Sequence, residues 1–160
     1  MVTQNERRPN RDTFPRDRAN LASYLQEHGI LPTNQRLEIA SVLFERAQHL
    51  AADQVLLRVN RDGHRVSKAT VYNTLGLFAE KGLIREVIVD PTRVFYDSNT
   101  QPHHHFFDVD TGELTDVNNA TVPLTRLPDP PAGKEVQDIE VIIRVRHQGD
   151  ESSPEPEPSD

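Results

Sequence analysis

Apolar residues recur three and four positions apart through the first half of the chain, then switch to alternation. In "RDRANLASYLQEHG", Leu21, Tyr24, Leu25 and His28 fall at helical spacing, and Gly29 is a stop. "ILPTNQRLEIASVLFERAQ" predicts a second helix, with Pro32 ahead of it and Thr33 or Asn34 as N-cap. Leu37, Ile39, Ala40, Val42, Leu43 and Phe44 give it a broad apolar face. "AADQVLLRVNRDG" reads as a third, closed by Asp62-Gly63. "VSKATVYNTLGLFAEKGLI" reads as a fourth, capped by Ser67 and stopped by Gly82, with Val71, Leu75, Phe78 and Ala79 inward.

From there the period is two. "LIREVIV" turns at "DPT" into "RVFYD", and "HHHFFDV" turns at "DTG" into "ELTDV". "TVPLTRLPDPPAGKE" holds four prolines, which forbid a regular helix, and "DIEVIIRVRHQ" alternates as a last strand. Short helices followed by a late helix and a hairpin are the pattern of a winged helix-turn-helix, here with the wing at 83–97. The expected organisation is a disordered arm at 1–16, a winged-helix unit at 17–98, a β-rich unit at 99–147 and an acidic, Pro-rich tail at 148–160. The fold class is α+β, and there are no internal repeats.

Charge divides along the same line. Residues 1–86 carry 13 Lys/Arg against 10 Asp/Glu, a net of +3, while residues 87–160 carry 5 against 15, a net of −10. The overall −7 therefore hides an anion-facing half and a cation-facing half. The chain has no cysteine, which excludes disulfides, thiolate zinc, iron–sulfur clusters and cysteine nucleophiles. It has no signal-like N-terminal apolar run and no stretch of 18 apolar residues, so the expectation is a soluble, cytoplasmic protein without a membrane partner.

"HHHFFDV" is the chemically unusual stretch. On a strand, His103 and His105 share one face and His104 takes the other. Two imidazoles at i, i+2 suit one metal ion, with further donors among His49, Asp97, Asp108, Asp110, Glu113, Asp116 and His147. A nitrogen-and-oxygen set without thiolate suits Fe(II), Mn(II) or Zn(II), and imidazole also suits haem iron. Three solvated histidines on an edge strand remain the plain alternative.

The run "TNQR … QHLAADQV … SKATVYNTLGLFAEKGLI … HHHFFDVDTGELTDV" resembles the ferric uptake regulator (Fur) family of metal-responsive repressors over about residues 17–117. The triplet, "FFDVDTGEL" and the missing cysteines are most similar to its iron response regulator (Irr) branch. The resemblance implies an N-terminal winged helix-turn-helix followed by a small α/β dimerisation domain. It also implies a regulatory divalent-metal site of His49, Asp97, His103, His105 and Asp116. For the wing carboxylate, strict spacing lands on Tyr96, next to the candidate Asp97. His104, with His147, would belong to a second site, where Pro102 replaces a usual histidine; in the Irr branch haem would bind at His103, His104, His105 or His147. Asp108-Val109-Asp110-Thr111 stands where the family places a Cys-x-x-Cys, so no structural Cys-bound zinc is possible.

On the fourth helix, Lys68, Thr70, Tyr72 and Asn73 are the expected DNA-facing residues, with Arg36 and Arg65 as phosphate clamps. Asn73 stands where many family members have Arg, which shifts the expected base preference from guanine toward adenine. Tyr72 as an ordinary boundary residue and Arg36 as a solvated charge are the plain alternatives. The function expected is an iron-responsive transcriptional regulator, not an enzyme, that binds inverted-repeat operator DNA as a homodimer, with pairing of dimers left open. An ordinary Mn(II)/Fe(II)-dependent repressor without haem control is the alternative. A facial-triad iron enzyme or a metal chelator fits the histidines but not "SKATVYNTL".

Overall fold

Three side-chain caps start the helices. The computed structural model describes residues 17–63 and 65–148; the arm expected at 1–16 and nearly all of the tail expected at 148–160 lie outside them. Asp17 accepts from the amide of Asn20 at 2.8 Å and opens α1 (Arg18–Glu27). Thr33, rather than Asn34, caps α2 (Asn34–Leu43) by accepting from Arg36 N. Ser67 caps α4 (Lys68–Glu80) by accepting from Thr70 N at 3.2 Å. Each cap satisfies an orphan helix amide and contributes about 1 kcal/mol. Gly29 and Gly82 follow α1 and α4 at φ 72° and 76°, a left-handed conformation that other residues rarely adopt.

The chain divides into two units after Gln101, three residues beyond the boundary expected from the sequence. In the first, the inward faces of α1, α2, α3 (Ala52–Val59) and α4 build a core around Leu25, Ile39, Phe44, Val55, Leu75, Phe78 and Leu83. Burying each such side chain contributes roughly 1.5–3 kcal/mol. The wing is β2 (Arg85–Asp90) antiparallel to β3 (Arg93–Asp97). Asp90 closes its turn, accepting from Thr92 N at 2.8 Å and from the Thr92 hydroxyl at 2.7 Å.

One strand was not expected. His49–Ala51 forms β1, which pairs antiparallel with β3 on the side away from β2, giving the sheet order β1-β3-β2. The segment reads locally as the lead-in to α3, and only its pairing with a distant strand makes it β.

The second unit is a sheet of order β5-β4-β6. Strand β4 (His104–Asp108) pairs antiparallel with β5 (Leu114–Val117) and parallel with β6 (Ile142–Val145). A parallel partner needs a long crossover, usually a helix. Among the described residues this connection holds one 3-10 turn (Asn119–Thr121) and otherwise runs irregularly through its prolines. The mixed α+β class holds for the chain, with the α-helices of the described residues all in the first unit.

Candidate metal centre and DNA-facing helix

The β1–β3 pairing makes His49 and Asp97 register partners. His49 Nε2 lies 3.0 Å from Asp97 Oδ2. Asp97 is 1% exposed, and its Oδ1 accepts from Asn99 N at 2.8 Å, which fixes the carboxylate. Tyr96, the neighbour that strict spacing favours, is turned by strand alternation into the core. Burial, with smaller contributions from Glu86 and Tyr72, pushes its phenol above the usual range. Asp97 is therefore the carboxylate beside His49.

In the second unit, His103 Nε2 and His105 Nε2 face the same oxygen, Asp116 Oδ1, at 3.1 and 3.5 Å. Their rings meet edge-on, 4.5 Å between centroids. The register of β4 on β5 sets this up, because His105 and Asp116 are directly opposed. His105 is 0% exposed, and its other nitrogen, Nδ1, lies 3.1 Å from Glu140 Oε1. Glu140 was not among the candidates read from the sequence. It precedes β6 by two residues, and nothing in "QDIEVIIRV" signals its neighbour.

His104 takes the opposite face, and its surroundings differ in kind. Val141 N–H donates to His104 Nδ1 at 3.2 Å. With that lone pair engaged, the neutral ring carries its proton on Nε2, so neither nitrogen offers a metal a free lone pair. His104 also lines an open cavity of about 410 Å³ with Val122, Leu124, Val136 and Ile139.

His147 was expected beside His104, and the strand register corrects this. Val145 is level with Asp108, and His147 N donates to Asp110 Oδ2 at 2.7 Å. His147 therefore sits at the other end of β4 from His104, about 20 Å away at ~3.3 Å per strand residue.

On α4, Lys68, Tyr72, Asn73 and Gly76 fall along one exposed face. Tyr72 is 45% exposed, with Lys68 Nζ 5.7 Å from its ring centroid. Lys68 also pairs with Asp53 at 3.6 Å, an exposed contact of little energetic weight. Thr70 is only half exposed, and its hydroxyl bonds the Ser67 cap at 2.9 Å, so it sits at the helix start rather than on that face. The two arginines have local partners. Arg36 donates to Leu31 O at 3.0 Å, and Arg65 pairs with Glu38 at 3.3 Å.

The donors gathered in each unit are imidazole nitrogens and carboxylate oxygens, a set that fits a divalent first-row cation without thiolate. Among the described residues no helix is long and apolar enough to cross a membrane.

Comparison with known proteins agrees with this architecture. The model of the "Ferric uptake regulator family" matches residues 27–128. A peroxide-responsive repressor, PerR, of Staphylococcus aureus is 30% identical over 92 residues, 58% of this chain and 62% of that protein. The chain thus spans a little under two thirds of that curated relative. The ferric uptake regulator of Pseudomonas aeruginosa with manganese is similar at a TM-score of 0.60 and 26% identity, over 79% of this chain and 96% of that one. That of Francisella tularensis with iron is similar at 0.62 and 25%, over 72% and 90%. With a helical first half, a β-rich second half and a family model that matches residues 27–128, the chain belongs to the ferric uptake regulator family.

Proposed function

We propose that this chain is a divalent-metal-responsive transcriptional repressor, dimeric on operator DNA, and not an enzyme. The single observation that carries the reading is the split donor set. His49 and Asp97 face each other in the first unit, and His103 and His105 face Asp116 in the second. A divalent ion that binds these donors more tightly in the DNA-binding form would shift the population toward that form. Mn(II), Fe(II) and Zn(II) all suit such donors, and relatives have been solved with manganese and with iron.

Tyr72, Asn73 and Lys68 are the residues we assign to DNA. Asn73 is suited to bidentate contact with adenine, and Lys68 to phosphate. A guanidinium carries five N–H donors, more than the local partners of Arg36 and Arg65 take among the described residues, and both are assigned to phosphates at the edge of the interface. For dimerisation, Phe106 and Val145 stand 39% and 38% exposed on the β4–β6 sheet, an apolar surface suited to a second copy.

The second reading is the iron response regulator branch, with haem at the triplet. It is favoured by the cavity beside His104, lined in part by Val122, Leu124, Val136 and Ile139 and in part by Asn119, Gln137 and Asp138, and by the absence of cysteine. Against it stands the Val141 amide on His104 Nδ1. The deciding experiment is fluorescence anisotropy of an AT-rich inverted-repeat duplex with metal-stripped protein, adding Mn(II) and then ferric haem. Binding that requires Mn(II) and ignores haem supports the first reading. Binding without metal that stoichiometric haem reverses supports the second, and no binding in any condition rejects both.

A further inference from the structure

Residues 140 and 141 touch the last two histidines of the triplet, His104 and His105. Val141 O accepts from His105 N at 3.0 Å, Val141 N donates to His104 Nδ1 at 3.2 Å, and Glu140 Oε1 lies 3.1 Å from His105 Nδ1. The Glu140 contact is a close one between a buried imidazole and a carboxylate, although its angles are not those of an aligned hydrogen bond. A carboxylate at that nitrogen favours the tautomer protonated on Nδ1, and Glu140 is the nearer of the two carboxylates beside the ring, at 3.1 Å against 3.5 Å for Asp116 at Nε2, so the lone pair is left on Nε2. Nε2 is the nitrogen that faces Asp116. On His104 the same two-residue segment does the reverse, because a backbone donor occupies Nδ1.

We propose that Glu140 is the positioning residue of His105: it holds the ring with Nε2 presented to the metal, while Val141 turns His104 away from ligation. The inference rests on the metal-binding reading above and adds a residue and a linkage to it. A carboxylate behind a ligating imidazole fixes its orientation and raises its basicity. Glu140 reaches His105 only because β6 lies parallel to β4 at the end of the proline-rich crossover. Metal affinity and the seating of β6 are therefore coupled, each strengthening the other.

The test uses the full chain and its Glu140→Gln and Glu140→Ala variants. Long-range ¹⁵N NMR of the metal-free proteins reads the His105 tautomer, and chelator competition reads Mn(II) affinity. Amide protection at His105 N, whose acceptor is Val141 O, reports whether β6 is still seated. The expected result is one Nδ1-protonated form of His105 in the wild type and mixed tautomers in Glu140→Ala. Mn(II) affinity falls about 10- to 100-fold in Glu140→Ala, and by less in Glu140→Gln, which keeps an acceptor oxygen. If both variants keep the wild-type tautomer and bind Mn(II) within about twofold of it, the proposal is overturned. Wild-type protein that fails to bind Mn(II) overturns the metal reading instead, and the metal-free tautomer still decides whether Glu140 sets the ring.

Discussion

Across the β1–β3 pair, His49 Nε2 stands 3.0 Å from Asp97 Oδ2, and the Asp97 carboxylate is almost wholly buried. It is also bonded to the amide of Asn99, so its loss removes two contacts at once.

Asp97→Ala is therefore expected to destabilise the first unit by about 1–3 kcal/mol, the cost of leaving buried polar groups unanswered. Urea unfolding monitored by circular dichroism measures this. The same variant should lose Mn(II) binding in calorimetry. Unchanged stability together with unchanged binding would show that the pair is incidental.

His105 and His104 are neighbours with opposite expected effects. His105→Ala should weaken Mn(II) binding by more than about tenfold, the order of loss seen at ligand shells. His104→Ala should leave Mn(II) affinity nearly unchanged, since its Nδ1 is occupied by Val141 N–H. Titration with ferric haem, followed by absorbance, gives the other arm: a shift lost only in His104→Ala would assign His104 to haem after all.

On α4, Asn73 is exposed two turns before the helix end, on the face that holds Tyr72. Asn73→Arg should move the preferred base from adenine toward guanine, with discrimination of about 1–3 kcal/mol at one operator position. Selection from a randomised duplex pool reads this directly. Tyr72→Ala should weaken binding at every sequence without changing the preference.

Gly76 lies on the same exposed face, and a Cβ there would meet nothing within 4 Å. Gly76→Ala is expected to raise stability by about 0.5–1 kcal/mol through the helix backbone alone. Thermal unfolding checks the gain. A simultaneous fall in DNA affinity would mean that the open space is taken by the duplex.

Asp108 closes the β4–β5 turn, accepting from Asp110 N at 2.8 Å and Thr111 N at 3.2 Å. Those amide bonds hold its carboxyl below the ordinary 3.8. A depressed carboxylate contributes stability above its unfolded value, and loses that contribution as pH falls through the folded value. Acidification below about pH 4 should thus loosen the turn, seen as faster amide exchange at Asp110 and Thr111 relative to the helices. Asp108→Asn should make exchange there nearly independent of acid.

Local chemistry along the chain was enough to define the four helices, the Ser67 cap, a cap at Thr33 or Asn34, and the Asp90 turn of the wing. It also split the triplet, since alternation alone puts His103 and His105 on one side and His104 on the other. These features depend on residues a few positions apart, whose sterics and hydrogen bonds any short window contains. Tertiary structure decided the rest. The pairing of His49–Ala51 with β3 chose Asp97 over Tyr96, and the register of β6 brought Glu140 to His105 while carrying His147 away from His104. Contacts of that kind join segments separated by long loops, and they form only where core packing and strand register bring those segments together. No short run of residues specifies such a meeting, because the same residues would sit equally well beside other partners until the sheets close.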